Sequence, residues 1–129
     1  MVYILNRRGN KKYRSSPILV SLQQDGKSAI LVKEIKVKLR NGYRIIVPAG
    51  FKTDFASVPR IFWSVISPIG KGYTSAAIVH DYLYSTHQVT KKEADNIFLW
   101  LMQRDGVSYL KRYAMYWSVR LFGGKAWKK

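Results

Sequence analysis

The chain has 129 residues, 47% hydrophobic and 14% aromatic, which suits one domain with a packed core and excludes a disordered protein. Lys and Arg number 23 against 7 Asp and Glu, and the resulting net charge of +16 favours anionic partners. There is no cysteine, which excludes disulfides, thiolate metal sites and a thiol nucleophile. No zinc-finger, ribonucleoprotein or leucine-zipper pattern is present, so sequence-specific reading of nucleic acid is not expected.

Residues up to about 55 favour β-strands. Between residues 35 and 40, apolar side chains alternate with basic ones, the period of a strand with one buried face. Asn41 and Gly42 tolerate positive φ and precede the stretch 43–47, which predicts a hairpin. Residues 17–22 and 29–32 flank an Asp-Gly pair and predict another. We therefore expect a small antiparallel sheet with a basic outer face.

From residue 57 onward the period of the apolar residues becomes helical. A short helix is expected over residues 57–66 and a second over residues 75–85. Thr90 and Glu93 have the spacing of a capping box, which predicts a third helix from there to Arg104. The buried stripe expected on this third helix is Ala94, Ile97, Phe98 and Leu101.

A last helix is expected to begin at Ser108 and to end at the Gly123-Gly124 pair. Its apolar face is Leu110, Tyr113, Ala114, Trp117 and Leu121. The fold class is therefore α+β, a small antiparallel N-terminal sheet followed by three to four C-terminal helices in a single domain. Strands are expected mainly in residues 1–55, helices mainly in residues 56–124 and a basic tail at residues 125–129.

His80, Asp81 and Tyr84 lie in an apolar stretch and share one arc of the helix expected there. Asp95 opens the next helix after a short loop, so two antiparallel helices would bring its carboxylate to that arc. A histidine oriented by a carboxylate and a tyrosine can act as a general base, since its unperturbed pKa of about 6.5 lets it exchange protons near neutrality. His80, Tyr84 and Asp95 are the candidate catalytic residues.

The same residues allow two other interpretations. His80 and Asp95 can form a buried hydrogen-bonded pair that fixes the angle between two helices, with Tyr84 satisfying a remaining acceptor. Alternatively, His80, Asp81 and His87 can supply metal ligands, although their spacing matches no familiar zinc pattern. Asp81 is a candidate metal ligand on either chemical interpretation.

The segment 47–60 is expected to form a loop between the sheet and the first helix, because it contains Gly and Pro residues. Its carboxylate, Asp54, can cap the short helix or accept hydrogen bonds from loop N–H groups. Asp54 can instead border the same cleft as Asp81, which makes it the second candidate metal ligand. Arg60 offers a bidentate partner for Asp54, Asp81 or a phosphate.

Basic residues crowd the N-terminus and the expected surfaces of sheet and helices. The candidate polyanion-binding residues are Arg7, Arg8, Lys11, Lys12, Arg14, Lys36, Lys38, Arg40, Lys111 and Arg112. The alternative is that these charges keep the protein soluble and attract counter-ions loosely.

Several segments together resemble the signature of one phage and prophage family. They are residues 47–60 (VPAGFKTDFASVPR), Gly72-Tyr73, Ala76-Ala77, residues 80–84 (HDYLY), Ala94-Asp95 with Phe98, and residues 119–123 (VRLFG). The family is the domain-of-unknown-function family numbered thirteen fifty-three. The resemblance runs from the Asn41-Gly42 turn to Gly123. It implies a bacteriophage origin and specifies no reaction.

A second resemblance is local. His-Asp-x-x-Tyr on one helix, with an Asp on an antiparallel helix, is similar to the core of the secreted calcium-dependent phospholipases. By that resemblance His80 would activate water, Asp81 would bind a calcium ion that stabilises the oxyanion, and Tyr84 and Asp95 would orient the histidine. The chain lacks the flanking cysteines and the glycine-rich calcium loop of that family, and Lys71 stands where a cation needs oxygen ligands.

Two function classes follow. The first is a bacteriophage-encoded structural or interaction protein, expected in the tail, neck or ejection apparatus of the virion. Its partners would be other phage structural proteins and nucleic acid or an anionic membrane surface. The second is a small metal-assisted hydrolase, acting on an ester or a cell-envelope bond, with calcium as the implied cofactor. Because residues 1–5 are too short for a secretory signal and no apolar run spans a bilayer, we expect the virion or the host cytoplasm.

Overall fold

The structure is a computed structural model, and it describes residues 2–5, 18–22, 28–54 and 74–128. The helix expected over residues 57–66, Arg60, and the basic residues Arg7, Arg8, Lys11, Lys12 and Arg14 lie outside these ranges. Within them, the order of strands followed by helices confirms the α+β class.

Six strands occupy the described part of the N-terminal half: β1 Val2–Leu5, β2 Ile18–Leu22, β3 Ala29–Leu31, β4 Ile35–Lys38, β5 Arg44–Val47 and β6 Lys52–Thr53. They form an antiparallel sheet in the order β1-β2-β3-β6 and a separate two-stranded sheet, β4-β5. The expected pairing of residues 17–22 with 29–32 is confirmed, since Val20 lies opposite Leu31 in β2 and β3. Strands β1 and β6 lie within residues 1–55, where strands were expected, but the sequence did not delimit them.

The β4–β5 hairpin has one apolar and one basic face. Ile35 pairs with Val47 and Val37 with Ile45, and all four side chains are buried. The turn between the strands contains Gly42, whose φ of 88° is easily adopted only by a residue without a Cβ. The alternating pattern of the sequence therefore set the register as expected.

Four helices follow: α1 Thr74–Thr86, α2 Lys91–Arg104, α3 Tyr109–Phe122 and α4 Gly124–Trp127. The capping box of α2 is confirmed, since the Thr90 hydroxyl accepts from the Glu93 N–H at 3.1 Å and the Glu93 carboxylate accepts from the Thr90 N–H at 3.0 Å. On α2, Ala94, Phe98 and Leu101 are buried as expected and Ile97 is partly buried. The short helix α4 stands where a basic tail was expected.

Helix α1 lies at the centre of the described core. Residues 74–80 are buried without interruption, and so are Leu83 and Tyr84. Its neighbours are α2, α4, β5 and β6. A helix that is apolar on nearly all sides must be enclosed by other elements. The polar side chains of Thr74, Ser75 and His80 on α1 are therefore held in the interior of the protein.

The expected apolar face of α3 does not face the core, which corrects the sequence analysis. Leu110 is 81% exposed, Trp117 53% and Leu121 68%, while Met115 and Val119 on the opposite side are buried. A polar contact accompanies this orientation of α3. Lys91 Nζ, on α2, donates a hydrogen bond to the Val119 carbonyl at 2.9 Å and so holds the Val119 side of α3 against α2.

We predict that Gly123→Ala destabilises the protein, because an added Cβ would crowd the Val119 carbonyl oxygen and lie 2.8 Å from the Tyr84 hydroxyl oxygen. The free energy of unfolding should fall by about 1–3 kcal/mol. Gly124→Ala is the matched control, since its Cβ meets no atom within 4 Å. It should leave stability unchanged or raise it by up to about 1 kcal/mol. Urea unfolding followed by circular dichroism measures both, and equal destabilisation would contradict the prediction.

Candidate functional site

The side chain of Asp95 is fully buried and accepts hydrogen bonds from residues on all three long helices. Its Oδ1 accepts from His80 Nε2 at 2.7 Å and from the Tyr84 hydroxyl at 2.6 Å, both on α1. Its Oδ2 accepts from Lys91 Nζ at 3.0 Å and from Arg120 Nη1 at 2.9 Å. We call this set the Asp95 network.

Asp95 is ionised in this network. Burial alone would raise its pKa, but the hydrogen bonds that Asp95 accepts from His80, Tyr84 and Lys91 outweigh burial and lower the pKa to about 2. Arg120 adds a second cation at the same oxygen as Lys91. The anion is therefore compensated by two cations, both of which reach it from partly exposed positions.

His80 is neutral, because burial lowers its pKa more than its hydrogen bond to Asp95 raises it. An ionised carboxylate can only accept, so Nε2 carries the proton and Nδ1 carries a lone pair. Nδ1 is buried and makes no hydrogen bond to any residue that the structure describes. The imidazole lies between the rings of Phe98 and Tyr84, whose centroids are 4.4 Å and 4.2 Å away, and none of its side chain is exposed.

Tyr84 and Lys91 both donate hydrogen bonds to Asp95, and Lys91 also donates to backbone carbonyls of α3. Burial, followed by the hydrogen bond to Asp95, raises the pKa of Tyr84 above its usual value, so the phenol stays protonated and donates. Lys91 Nζ also donates to the carbonyls of Val119 and Arg120, at 2.9 Å and 3.5 Å. Because these carbonyls lie in the last turn of α3, Lys91 caps that helix while it neutralises Asp95.

Asp81 contacts a different part of the protein. It accepts a hydrogen bond from the Thr53 hydroxyl of β6 at 2.5 Å. Asp54 and Asp81 line one small cleft of about 170 Å³, together with Lys52 and Ser85. The two candidate metal ligands therefore line one cleft, and Tyr84 of the Asp95 network lines it too, whereas His80 does not.

The described residues do not complete a metal site. Residues 2–5, 18–22, 28–54 and 74–128 contain no group of three or more His, Asp or Glu side chains that could hold a metal ion. His87, the third ligand of the zinc interpretation, instead hydrogen-bonds through Nε2 to the Trp127 carbonyl at 2.7 Å and stacks on the Trp127 ring. The cleft offers two carboxylates, those of Asp54 and Asp81, beside the cationic Lys52, which opposes the binding of a metal ion there.

The exposed face of the β4–β5 hairpin is basic. Lys36, Lys38, Arg40 and Arg44 are all exposed, and Lys38 lies directly opposite Arg44 in the register. The acidic neighbour is Glu34, 3.4 Å from Lys36. Arg44 was not among the expected polyanion-binding residues, although the alternation on its strand already predicted an outward side chain.

The basic residues expected on α3 differ in their surroundings. Lys111 is exposed. Arg112 is partly buried, donates to the Val107 carbonyl at 3.3 Å and lies over the rings of Tyr109 and Tyr113. Arg112 therefore has a packing role, whereas Lys111 presents its charge to solvent.

A groove of about 280 Å³ opens beside the tip of the hairpin. It is lined by Leu39, Arg40, Asn41, Asn96, Ile97 and Trp100. The Asn41 side-chain oxygen accepts from the Tyr43 N–H at 2.9 Å, and that of Asn96 accepts from the Tyr116 hydroxyl at 2.9 Å. Both amides are thus oriented by the protein, and among described residues their Nδ2 groups have no hydrogen-bond partner.

Comparison with known proteins places the chain in a family. The sequence profile of the family described as "Protein of unknown function (DUF1353)" matches residues 29–119. The chain belongs to this family. The match runs from the start of β3 to Val119 in α3, so it includes the hairpin, Asp54 and Asp81, and every member of the Asp95 network of this DUF1353 protein except Arg120.

Two curated relatives come from Sinorhizobium fredii. "Uncharacterized protein y4jT" is 38% identical over 84 residues, which are 64% of this chain and 25% of that protein. "Uncharacterized protein y4iH" is 34% identical over 73 residues, which are 56% of this chain and 30% of that protein. The matched region thus spans at most about a third of these relatives. No solved structure matches the chain.

We predict that the stability of this DUF1353 protein falls in two stages as the pH is lowered. Below about pH 6.5 the unfolded chain protonates His80, whereas the folded chain resists because burial lowers the pKa of His80. Below about pH 3.9 the unfolded chain protonates Asp95, whereas the folded carboxylate keeps a pKa of about 2. In both stages the unfolded state binds more protons, so stability is fullest above about pH 6.5.

Urea unfolding at intervals from pH 8 to pH 2.5 measures this dependence. His80→Gln should remove most of the slope between pH 7 and pH 5, and His87→Gln is the matched control that should retain it. If His80→Gln retained the slope of unfolding free energy against pH and His87→Gln lost it, the loss of stability between pH 7 and pH 5 would not arise at His80.

Proposed function

We propose that this chain is a non-enzymatic interaction protein that binds nucleic acid through the basic face of the β4–β5 hairpin. The carrying observation is the pairing of Lys38 with Arg44. Like charges directly opposite each other on a sheet destabilise it, by a few tenths to about 1 kcal/mol. A phosphate bound between the two side chains would relieve this repulsion.

The arrangement of the other cations supports the same proposal. Lys36 and Lys38 are two residues apart on one strand, roughly 6.6 Å at a strand rise of about 3.3 Å per residue, and Arg40 is exposed in the turn that follows. A row of cations at the surface can track the phosphates of a nucleic acid strand without reading its sequence. The net charge of +16 supplies the long-range attraction.

The groove beside Arg40 favours nucleic acid over an acidic protein. Trp100 and Ile97 line it with apolar surface, and the oriented amides of Asn41 and Asn96 present N–H donors. An unstacked base combines an apolar ring with acceptor atoms at its edge, which is the chemistry that these residues complement. This supports a single-stranded ligand.

The Asp95 network supports a non-enzymatic role. Each carboxylate oxygen of Asp95 already accepts two hydrogen bonds, and His80 has no exposed surface. Such an arrangement fixes three helices relative to one another. We propose that its function is to hold the fold that presents the hairpin.

The association of this protein with a bacteriophage particle belongs to the same proposal. It is supported by the sequence resemblance to a phage and prophage family, and the names of the relatives from Sinorhizobium fredii state no function. In that setting the partners would be packaged nucleic acid and neighbouring proteins of the tail, neck or ejection apparatus. Finding the protein in purified particles by mass spectrometry would support this location, and finding it only in the lysate supernatant would oppose it.

We predict that Lys38→Gln/Arg44→Gln weakens binding of a fluorescent single-stranded oligonucleotide. The slope of log K against log salt should become shallower by about 1.4, because two phosphate contacts are lost at about 0.7 each. Fluorescence anisotropy between 50 and 300 mM NaCl, on the order of the range over which such binding is salt-sensitive, gives the slope.

Lys92→Gln/Lys128→Gln is the matched control, since it removes the same charge from exposed positions outside the hairpin. It should retain most of the slope. An equal loss in both double variants would show that net charge alone drives binding. Displacement of the oligonucleotide by polyglutamate at equal charge concentration would instead identify an acidic protein as the ligand.

A second candidate function is hydrolysis with His80 as the general base. One observation favours it: Asp95 fixes the Nε2–H tautomer of His80 and leaves the Nδ1 lone pair without a hydrogen bond from the described residues. A lone pair in this state can take a proton from water. Since the side chain has no exposed surface, this function requires that His80 become accessible.

Carbethoxylation by diethyl pyrocarbonate tests the accessibility of His80. In the His87→Gln variant, His80 is the sole histidine, because the chain has two. We predict that this variant does not react while folded and reacts once in urea, whereas the wild type reacts once while folded. Reaction of folded His87→Gln would support the hydrolase and would justify a screen of ester substrates.

A further inference from the structure

Helix α3 carries an exposed apolar stripe, defined as Leu110, Ala114, Trp117 and Leu121. At about 100° per residue these four side chains fall within an arc of about 60°. All four are exposed. Side chains of this size on one helix face form a contiguous apolar patch, and such patches on a protein surface mark interaction sites.

The surroundings of the stripe are basic. Residues 109–128 contain five Lys or Arg residues and no Asp or Glu. Lys111 lies on one side of the stripe and Arg120 on the other, and Lys125 follows in α4. The ends of the stripe carry the exposed rings of Tyr109 and Phe122. A ligand for this surface must therefore combine an apolar interior with negative charge at its boundary.

We infer that the apolar stripe docks on an anionic lipid surface, with α3 lying in the plane of the interface. Trp, Leu and Phe side chains would enter the boundary between headgroups and acyl chains, and the flanking cations would contact anionic headgroups. Among the described residues, no helix is both long and apolar enough to cross a bilayer, so α3 would lie on the membrane rather than span it.

Charge complementarity selects the lipid surface over a second copy of this chain. A symmetric pair of stripes would bring the exposed Lys111 and Lys125 of the two copies towards each other, and residues 109–128 contain no acidic residue to offset them. An anionic bilayer supplies the opposite charge over its whole area.

The structure also presents α3 rigidly. Met115 and Val119, on the side opposite the stripe, are buried. Arg120 is held by Asp95, and the Val119 carbonyl is held by Lys91. Docking thus requires no rearrangement of the core. Because Arg120 is bound to Asp95, the cations that contact the headgroups are Lys111 and Lys125, which are exposed.

Sedimentation with sucrose-loaded vesicles tests this inference on the whole chain. The vesicles contain either phosphatidylcholine alone or phosphatidylcholine with phosphatidylglycerol. We expect the wild type to bind the mixed vesicles and to bind pure phosphatidylcholine at least about tenfold more weakly. Leu110→Ser/Leu121→Ser should lower the affinity for the mixed vesicles by about tenfold or more, because two apolar side chains no longer enter the bilayer.

The matched control is Val32→Ser/Ile46→Ser, which replaces two exposed apolar side chains outside α3. It should bind mixed vesicles like the wild type. Lys38→Gln/Arg44→Gln should also retain binding, which separates this surface from the nucleic-acid surface of the hairpin. Quenching of tryptophan fluorescence by lipids brominated on the acyl chain should decrease in Trp117→Phe.

Three results would overturn the inference. They are failure of the wild type to bind mixed vesicles, equal binding by Leu110→Ser/Leu121→Ser, and loss of binding only in the hairpin variant. A concentration-dependent dimer in sedimentation velocity that Leu110→Ser/Leu121→Ser abolishes, without vesicle binding, would assign the stripe to a second copy instead.

Discussion

The position of one buried anion determines how the helices of this protein are arranged. Asp95 has no exposed surface, and an uncompensated carboxylate in that position would cost several kcal/mol. It is tolerated because α1 supplies two neutral donors to one oxygen, while α2 and α3 each supply a cation to the other. The angles between the helices are those that bring these four donors within hydrogen-bond distance. Replacement of any one donor would leave part of the charge unsatisfied.

The same burial determines the chemistry of His80. A histidine beside a carboxylate and a tyrosine is a combination found in catalytic sites. Catalysis also requires that water or a substrate can reach the histidine, which the residue types alone do not determine. Here the desolvation that holds His80 neutral also encloses it between Phe98 and Tyr84. The nearby cleft with Asp54 and Asp81 lies at the junction of β6 and α1, and Tyr84 lines it whereas His80 does not. The basic hairpin and the α3 surface, in contrast, are open to solvent, which is why binding rather than catalysis is the proposed function.

Local sequence signals predicted much of the fold. The Asn41-Gly42 turn, the Thr90 capping box and the period-2 alternation of β4 each depend on residues a few positions apart. Helix geometry likewise placed Tyr84 one turn from His80 and allowed Asp95 to reach both. What the sequence did not predict depends on tertiary packing. Arg120 joins the network only because α3 packs against α2, and nothing in its own neighbourhood indicates this. Lys91 precedes Asp95 by four residues on α2, a spacing that could have indicated the ion pair but was not used.

The error on α3 has a related cause. Hydrophobic periodicity favours the face with Leu110, Trp117 and Leu121, because the face with Met115, Ser118 and Val119 contains a hydroxyl. Ser118 is buried without penalty since its hydroxyl donates to the Met115 carbonyl at 2.7 Å within the helix. A count of apolar residues therefore does not identify the buried face of α3, because that face contains a serine whose hydroxyl is hydrogen-bonded within the helix. Strands β1 and β6 were not delimited from the sequence for another reason, since short strands acquire stability from their partners in a sheet rather than from their own composition.

Lys91 links the network to the end of α3, and this link has a consequence for how the protein folds. Detaching α3 would remove Arg120 from Asp95 and would also remove the Val119 and Arg120 carbonyls that hold Lys91 in place. A partly folded state that contains only α1 and α2 would therefore bury an anion whose one remaining cation is no longer anchored. Such a state is disfavoured, so the three long helices should form and open as one cooperative unit rather than stepwise.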